Sequence, residues 1–257
     1  MPNREATVKV VNALLHGKED GPETETNKKS NQPSIYLKSN RPPLSNVYGD
    51  GPFLLSDIPQ AAKGNNGKGG GIVLGIDEAG RGSLLGPMIY GCAYWSTDDE
   101  DEIPRDFNDS KQLTHDKRTS LFQKILETEP IGFGIRVLHA SEISRNMLRR
   151  PEPYNLNQMS HNAAIDIIRH LQKAGVTNID TCYIDTVGNP GAYKRLLERE
   201  FPNYNFVVES KADAKYAPCS AASVGMFSIF RELSFEYSLF SSTHHSFFLC
   251  NSRQGDA

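Results

Sequence analysis

Residues 72–90 read IVLGIDEAGRGSLLGPMIY. Ile72, Val73, Leu74 and Ile76 make an apolar run that ends on two adjacent carboxylates, Asp77 and Glu78. Gly80, Arg81 and Gly82 follow at once, and residues 84–90 turn apolar again around Gly86 and Pro87. This is the pattern of a buried strand that delivers acids to its end, turns on glycines and returns as a second strand. The acids are hard oxygen ligands suited to Mg²⁺ or Mn²⁺. Glycines let a nucleic-acid backbone approach closely, and an arginine can fork onto a phosphate. An acidic pair before glycine also occurs in solvated surface turns. The apolar runs on both sides favour the strand end.

Working outward, residues 1–70 are polar and rich in Asn, Ser, Pro, Gly, Lys and Glu, with a weak apolar patch at 8–15. Such a composition predicts a disordered N-terminal extension. Residues 64–71, GNNGKGGG, lack the spacing of a phosphate-binding loop and read as a linker. The expected organisation is an extension over 1–70, a catalytic domain over 71–232 and an atypical tail over 233–257 that is dense in Ser and Phe.

Within the domain, strands are expected at 72–77, 87–95, 131–138, 179–186 and 204–210. Helices are expected from Thr114 to Glu127, Ala140 to Arg149, Asn157 to Ala174 and Gly191 to Phe201. Early hairpins followed by strands alternating with helices predict an α/β fold with a mixed sheet.

The chain has 257 residues and a net charge of −3. That balance does not by itself mark a nucleic-acid binder, but positive charge is concentrated at 145–150 and 211–215, so one face can be basic. The four cysteines, at 92, 182, 219 and 250, contain no CxxC pair, which argues against a zinc ribbon. No run of about 18 apolar residues predicts a membrane span. His244 and His245 are adjacent without ligand partners nearby in sequence.

A second acid stands out at the end of a second apolar strand: Asp185, in TCYIDTVG. A strand-end turn aspartate is the simple reading. A buried aspartate, however, is costly unless paired or metal-bound, and open α/β sheets place ligands at strand ends.

These residues carry a family likeness. Residues 75–87, GIDEAGRGSLLGP, resemble the signature of type 2 ribonucleases H, the eukaryotic catalytic subunit in particular. The resemblance continues through Asp109-Ser110-Lys111, Tyr154-Asn155-Leu156-Asn157 with Ser160-His161, Asp185-Thr186-Val187-Gly188, Lys211-Ala212-Asp213 with Tyr216, and Ser220 to Val224.

It implies a ribonuclease-H-like mixed sheet flanked by helices. The implied substrate is RNA paired to DNA, or a ribonucleotide within duplex DNA, cut to leave a 5′-phosphate. It implies two Mg²⁺ or Mn²⁺ ions in a cluster of four carboxylates, three of them Asp77, Glu78 and Asp185. Gly80, Arg81 and Gly82 match the turn that reads the 2′-hydroxyl, the group that separates RNA from DNA. Lys111 and Lys211 join the substrate-binding set. Also implied are a nuclear location, a part in DNA replication and ribonucleotide removal, and assembly with two non-catalytic subunits.

The likeness is expected to end at Val224. The family's fourth carboxylate is expected from a helix reading A-K-V-x-R-D, where this chain reads GMFSIFRE, with Glu232 one place out of register. A C-terminal helical part and a Tyr-Gly-Ser-Gly-Tyr-Pro pattern are also missing. Two rivals follow: a catalytically impaired form that at most binds hybrids or partner subunits, and a resolvase- or integrase-type nuclease, whose families lack the Gly-Arg-Gly turn. Sequence leaves open whether Lys211 pairs with Asp213 or lines a groove, and whether His161 and Tyr216 pack or take part in chemistry.

Overall fold

The computed structural model describes residues 35–36, 53–63, 69–81, 87–107, 114–186 and 188–230. Its centre is a seven-stranded mixed sheet in the order β1-β2-β5-β4-β3-β6-β7. The strands are β1 (Ile35–Tyr36), β2 (Phe53–Leu55), β3 (Ile72–Ala79), β4 (Met88–Ser96), β5 (Gly132–Leu138), β6 (Ile179–Asp185) and β7 (Asn205–Glu209). β3, β4 and β5 form an antiparallel meander, whereas β6 and β7 join β3 in parallel. All five expected strands are present. Residues 53–63, grouped by composition with the polar extension, belong to the fold instead: β2 pairs antiparallel with β5, and Phe53, Leu55 and Ile58 are buried.

Among the described residues, five α-helices cover the two faces. α1 (His115–Glu127), α2 (Ala140–Met147), α3 (Leu156–Lys173) and α4 (Pro190–Glu200) follow the expected order. A further helix, α5, runs over 217–230. Local chemistry sets the starts of two of them. Asn155 and Gln158 close a reciprocal capping box on α3, and Asn189 caps α4 ahead of Pro190. Thr114 precedes α1 in an extended conformation but makes no side-chain cap bond.

Strand alternation divides the core in two. Ile72, Leu74 and Ile76 pack with Tyr90, Cys92, α3 and α4 on one face. Ala79, Ala93, Trp95, Phe133 and Ile135 pack with α1 and α5 on the other. A large apolar side chain so buried is worth roughly 1.5–3 kcal/mol. Helix α5 presses close to the sheet. A Cβ on Gly75 of β3 would lie 2.0 Å from the Pro218 carbonyl carbon and 2.1 Å from the Cys219 nitrogen. Among the described residues no helix is long and apolar enough to cross a membrane.

Candidate metal centre

β3 and β6 lie side by side in parallel, so their C-terminal ends coincide. Ile76 is opposite Ile184, and Asp77 and Asp185 are the next residue on each strand. Both point to the face covered by α5. A third acid arrives from beyond β7. Lys211 takes a left-handed conformation, φ 59°, and the 3-10 turn Ala212–Ala214 then folds Asp213 inward. One carboxylate oxygen from each of Asp77, Asp185 and Asp213 lies within 4.8 Å of the others.

The environment makes this concentration of charge costly without a cation. Asp77 and Asp213 are 3 % and 4 % exposed. Asp77 Oδ1 accepts the Glu78 amide at 2.8 Å, and Ser223 of α5 also hydrogen-bonds this carboxyl. Its Oδ2 is buried and accepts no hydrogen bond. Burial first, then repulsion from Asp185 and Asp213, pushes the Asp77 carboxyl up to about 7. Asp185 Oδ1 is held by two amides, those of Thr186 at 2.8 Å and Lys211 at 2.9 Å. Beneath the group, the Cys219 thiol donates to Ile76 O at 3.1 Å, and its pKa is raised by burial and by the same acids. An orphaned buried oxygen beside two more oxygen donors fits a hard divalent ion. These three residues could hold one.

Glu78 is directed elsewhere, since neighbours on a strand face opposite sides. It stands across from Tyr90 in the β3–β4 register. On that face its charge adds to burial in raising the phenols of Tyr90 and Tyr193. The three-oxygen group does not include it.

The turn after β3 is tightly built. Gly80 has φ 83°, and a Cβ there would meet Pro87 O and the Phe230 ring at 2.4 Å each. Arg81 reaches α3: its Nη1 donates to Ser160 Oγ at 2.9 Å and its Nη2 donates to Asn157 Oδ1. The turn after β6 arrives at the same place, because a Cβ on Gly188 would be 3.5 Å from the Asn157 side chain. Thus Arg81, Asn157 and Gly188, one from each of three motifs, converge at the ends of β3 and β6. Lys211 is exposed at the rim. Gly82, Lys111, Val187 and Glu232 lie outside the described residues, as do residues 64–68, most of the N-terminal extension and residues 231–257 with His244, His245 and Cys250. His161 stacks on Tyr193 at 3.9 Å, and Tyr216 stacks on Tyr183 at 4.3 Å. For both, this is the packing alternative.

The structure decides one reading that sequence leaves open. Asp213, read as a partner of Lys211 or a groove residue, joins the acidic group, and the left-handed turn at Lys211 brings it in. Helix α5 continues past Val224 to residue 230, with Met226 and Ile229 fully buried, inside the span 71–232 expected for the domain.

Residues 74–234 match the family Ribonuclease HII. The chain is similar to the A subunit of ribonuclease H2 from Dictyostelium discoideum, 43 % identical over 155 residues, covering 59 % of this chain and 53 % of the relative. It is 40 % identical over 159 residues to the human protein of the same name, covering 59 % and 50 %. The chain thus spans about half the length of the curated relatives it matches. Among solved structures it resembles ribonuclease H2 from Pyrococcus horikoshii OT3, with a TM-score of 0.53 and 25 % identity over 64 % of this chain and 74 % of that one. It shares its fold with Bst-RNase HIII in complex with Mn²⁺, at a TM-score of 0.51 and 22 % identity over 68 % and 55 %.

Proposed function

The chain belongs to the ribonuclease HII family, and from that membership and its carboxylate geometry we infer that it is an endonuclease acting on RNA–DNA hybrids. It hydrolyses the RNA strand and also cuts at single ribonucleotides embedded in duplex DNA. The observation that carries this reading is the meeting of Asp77, Asp185 and Asp213 beside the Arg81 turn. Isolated carboxylates suit many tasks. Three of them against a glycine–arginine turn suit the backbone of a nucleic acid.

Asp77, Asp185 and Asp213 would hold two divalent ions, Mg²⁺ or Mn²⁺, and Glu78, the last acid of β3, would join them by turning its side chain around the strand end. Bound ions of this kind supply an activated water and a counter-charge for the leaving oxygen. The residues of the chain do the rest. The Thr186 and Lys211 amides fix the Asp185 carboxylate. Ser223 and the Glu78 amide orient Asp77. Gly80 lets the turn close over Pro87 and Phe230, a glycine at 82 suits close approach of a sugar–phosphate backbone, and Arg81, held by Ser160 and Asn157, offers its charge to a phosphate. Lys111 and Lys211 add positive charge along the strand. The 2′-hydroxyl read at this turn selects ribose over deoxyribose.

The impaired-form alternative rests on a missing carboxylate; against it stands Asp213, an acid within the group that the alternative did not count. The wider setting we propose is removal of ribonucleotides during DNA replication in the nucleus, with two non-catalytic subunits as partners. The test is to offer the purified chain a DNA duplex carrying one ribonucleotide, with Mg²⁺. We expect a single cut that yields a 5′-phosphate and that disappears in Asp77→Asn. Cleavage undiminished in that variant overturns the reading.

A further inference from the structure

The loop between α2 and α3 combines features that the carboxylate site does not use. Among the described residues, Met147 and Leu148 are the exposed large hydrophobic residues, at 48 % and 72 %. Arg149 and Arg150 follow immediately, both exposed. Glu152 is the one acid in the loop 147–153, and Arg145 adds a further positive charge from α2. Exposed leucine and methionine carry a solvation penalty, and adjacent arginines repel each other, so the patch is complementary to a polyanion with an apolar groove.

Topology puts this patch at the carboxylate end of the sheet. β5 runs in the same direction as β3, because each is antiparallel to β4 between them. Leu138 at the end of β5 and Ala79 at the end of β3 therefore stand at the same end, two strand spacings apart, or about 10 Å. α2 follows β5 directly and is held there by the buried ion pair Arg136–Glu142 at 2.8 Å. The loop closes where the Tyr154 amide donates to Asn146 O at 3.0 Å. It then feeds into α3, whose first turns carry Asn157 and Ser160, the partners of Arg81. The loop and the Arg81 turn are thus two attachments to one helix end.

We propose that loop 147–153 is a second contact for the nucleic-acid duplex, flanking the position of cleavage. Arg149 and Arg150 hold backbone phosphates, and Leu148 with Met147 enters the minor groove. Arginines neutralise phosphates and release counterions, and apolar side chains serve as minor-groove wedges. The inference rests on the hybrid-nuclease reading above and adds the element that sets how much duplex the enzyme grips.

The test is hybrid binding by fluorescence anisotropy with the full chain, in Ca²⁺ to prevent turnover, across a salt series. R149E/R150E is expected to weaken binding at least tenfold, and to lower the slope of log Kd against log salt by about two. R149Q/R150Q should show the same slope change with a smaller loss of affinity. L148S should weaken binding a few-fold and leave the slope unchanged. Matching melting curves establish that the variants fold. The arginine effect should shrink stepwise and vanish as the hybrid is trimmed toward the ribonucleotide on that side, because the phosphates the loop would hold are removed. Wild-type affinity and slope in R149E/R150E, or an equal loss on the trimmed hybrid, overturns the inference; the first of these leaves the loop as a protein-docking surface. Failure of the wild-type chain to bind hybrid at all would instead count against the nuclease reading.

Discussion

Asp77 and Asp213 come from distant parts of the chain, yet both are buried and bring carboxylate oxygens within 4.8 Å of each other. Neither strand-end geometry nor a shared loop imposes this closeness. Lys211 does, by turning the backbone left-handed just before the 3-10 turn. A non-glycine residue in that conformation costs about 1 kcal/mol or more, and the amide it directs at Asp185 accounts for its being kept there. Asp213→Asn is therefore expected to lower cleavage by on the order of 10²-fold, as misplacing a reactive centre does. Single-turnover rates at saturating Mg²⁺ check it. A rate within threefold of the parent would show that Asp213 is only a structural acid.

The raised Asp77 carboxyl predicts a pH dependence of stability in the absence of divalent ions. Its folded value is about 7, against 3.8 in the unfolded chain. Between those values the folded state holds a proton that the unfolded state releases. Stability from this group is thus fully present below pH 3.8 and is lost as pH rises through 7. The full shift corresponds to at most ~4 kcal/mol. Melting in EDTA should show a lower Tm at pH 8 than at pH 5.5. Asp77→Asn should flatten that difference and raise the Tm at pH 8, even as it removes activity. Mg²⁺ should raise the parent's Tm at pH 8 and have little effect on the variant's.

Gly75 sits two residues before Asp77 and touches the start of α5 through its backbone. A methyl group there would overlap Pro218 and Cys219, both of which are main chain at the contact and cannot rotate away. Gly75→Ala should cost about 1–3 kcal/mol as an overpacking change. It should also shift Ser223 away from Asp77, so that activity falls more than the folded fraction does. Gly175→Ala is the comparison, since that site is open, with nothing within 4 Å, although its φ of 101° carries backbone strain. Denaturation midpoints and cleavage rates of the two variants separate packing from positioning.

Much of this architecture is legible because it follows from apolar runs. Asp77 and Asp185 each close such a run, and the parallel pairing of their strands brings the two acids together. Asp213 follows the polar stretch 209–211, so no periodicity marks it as buried. Its position depends on one backbone conformation that sequence does not display. β2 is hidden for a different reason. Three apolar residues in a polar tract give no period, and only the open edge of β5 makes them a strand. The likeness is expected to end at Val224, yet the family match runs to residue 234; Gly225 lies against the Phe133 ring and the helix continues to residue 230. The bonding of Arg81 to α3 is a tertiary contact, legible in sequence only as two separate motifs.

Phe230 gives the last prediction, because it links that stretch of helix to the site. Its ring lies under Gly80, so close that a Cβ on the glycine would come within 2.4 Å of it. The ring therefore limits how far the turn can drop toward α5, and with it where Arg81 departs from the strand. Phe230→Ala opens space beneath the turn. The ring is only half-buried, so the loss of stability should be about 1–2 kcal/mol, below that of a core phenylalanine. The functional effect should fall on hybrid recognition, with KM raised several-fold and kcat little changed, because amides and Ser223 hold Asp77 and Asp185 independently of this ring. Phe230→Leu, which keeps apolar bulk beneath Gly80, should restore most of the affinity. If both variants lower kcat while KM stays constant, the ring supports the metal ligands rather than the turn.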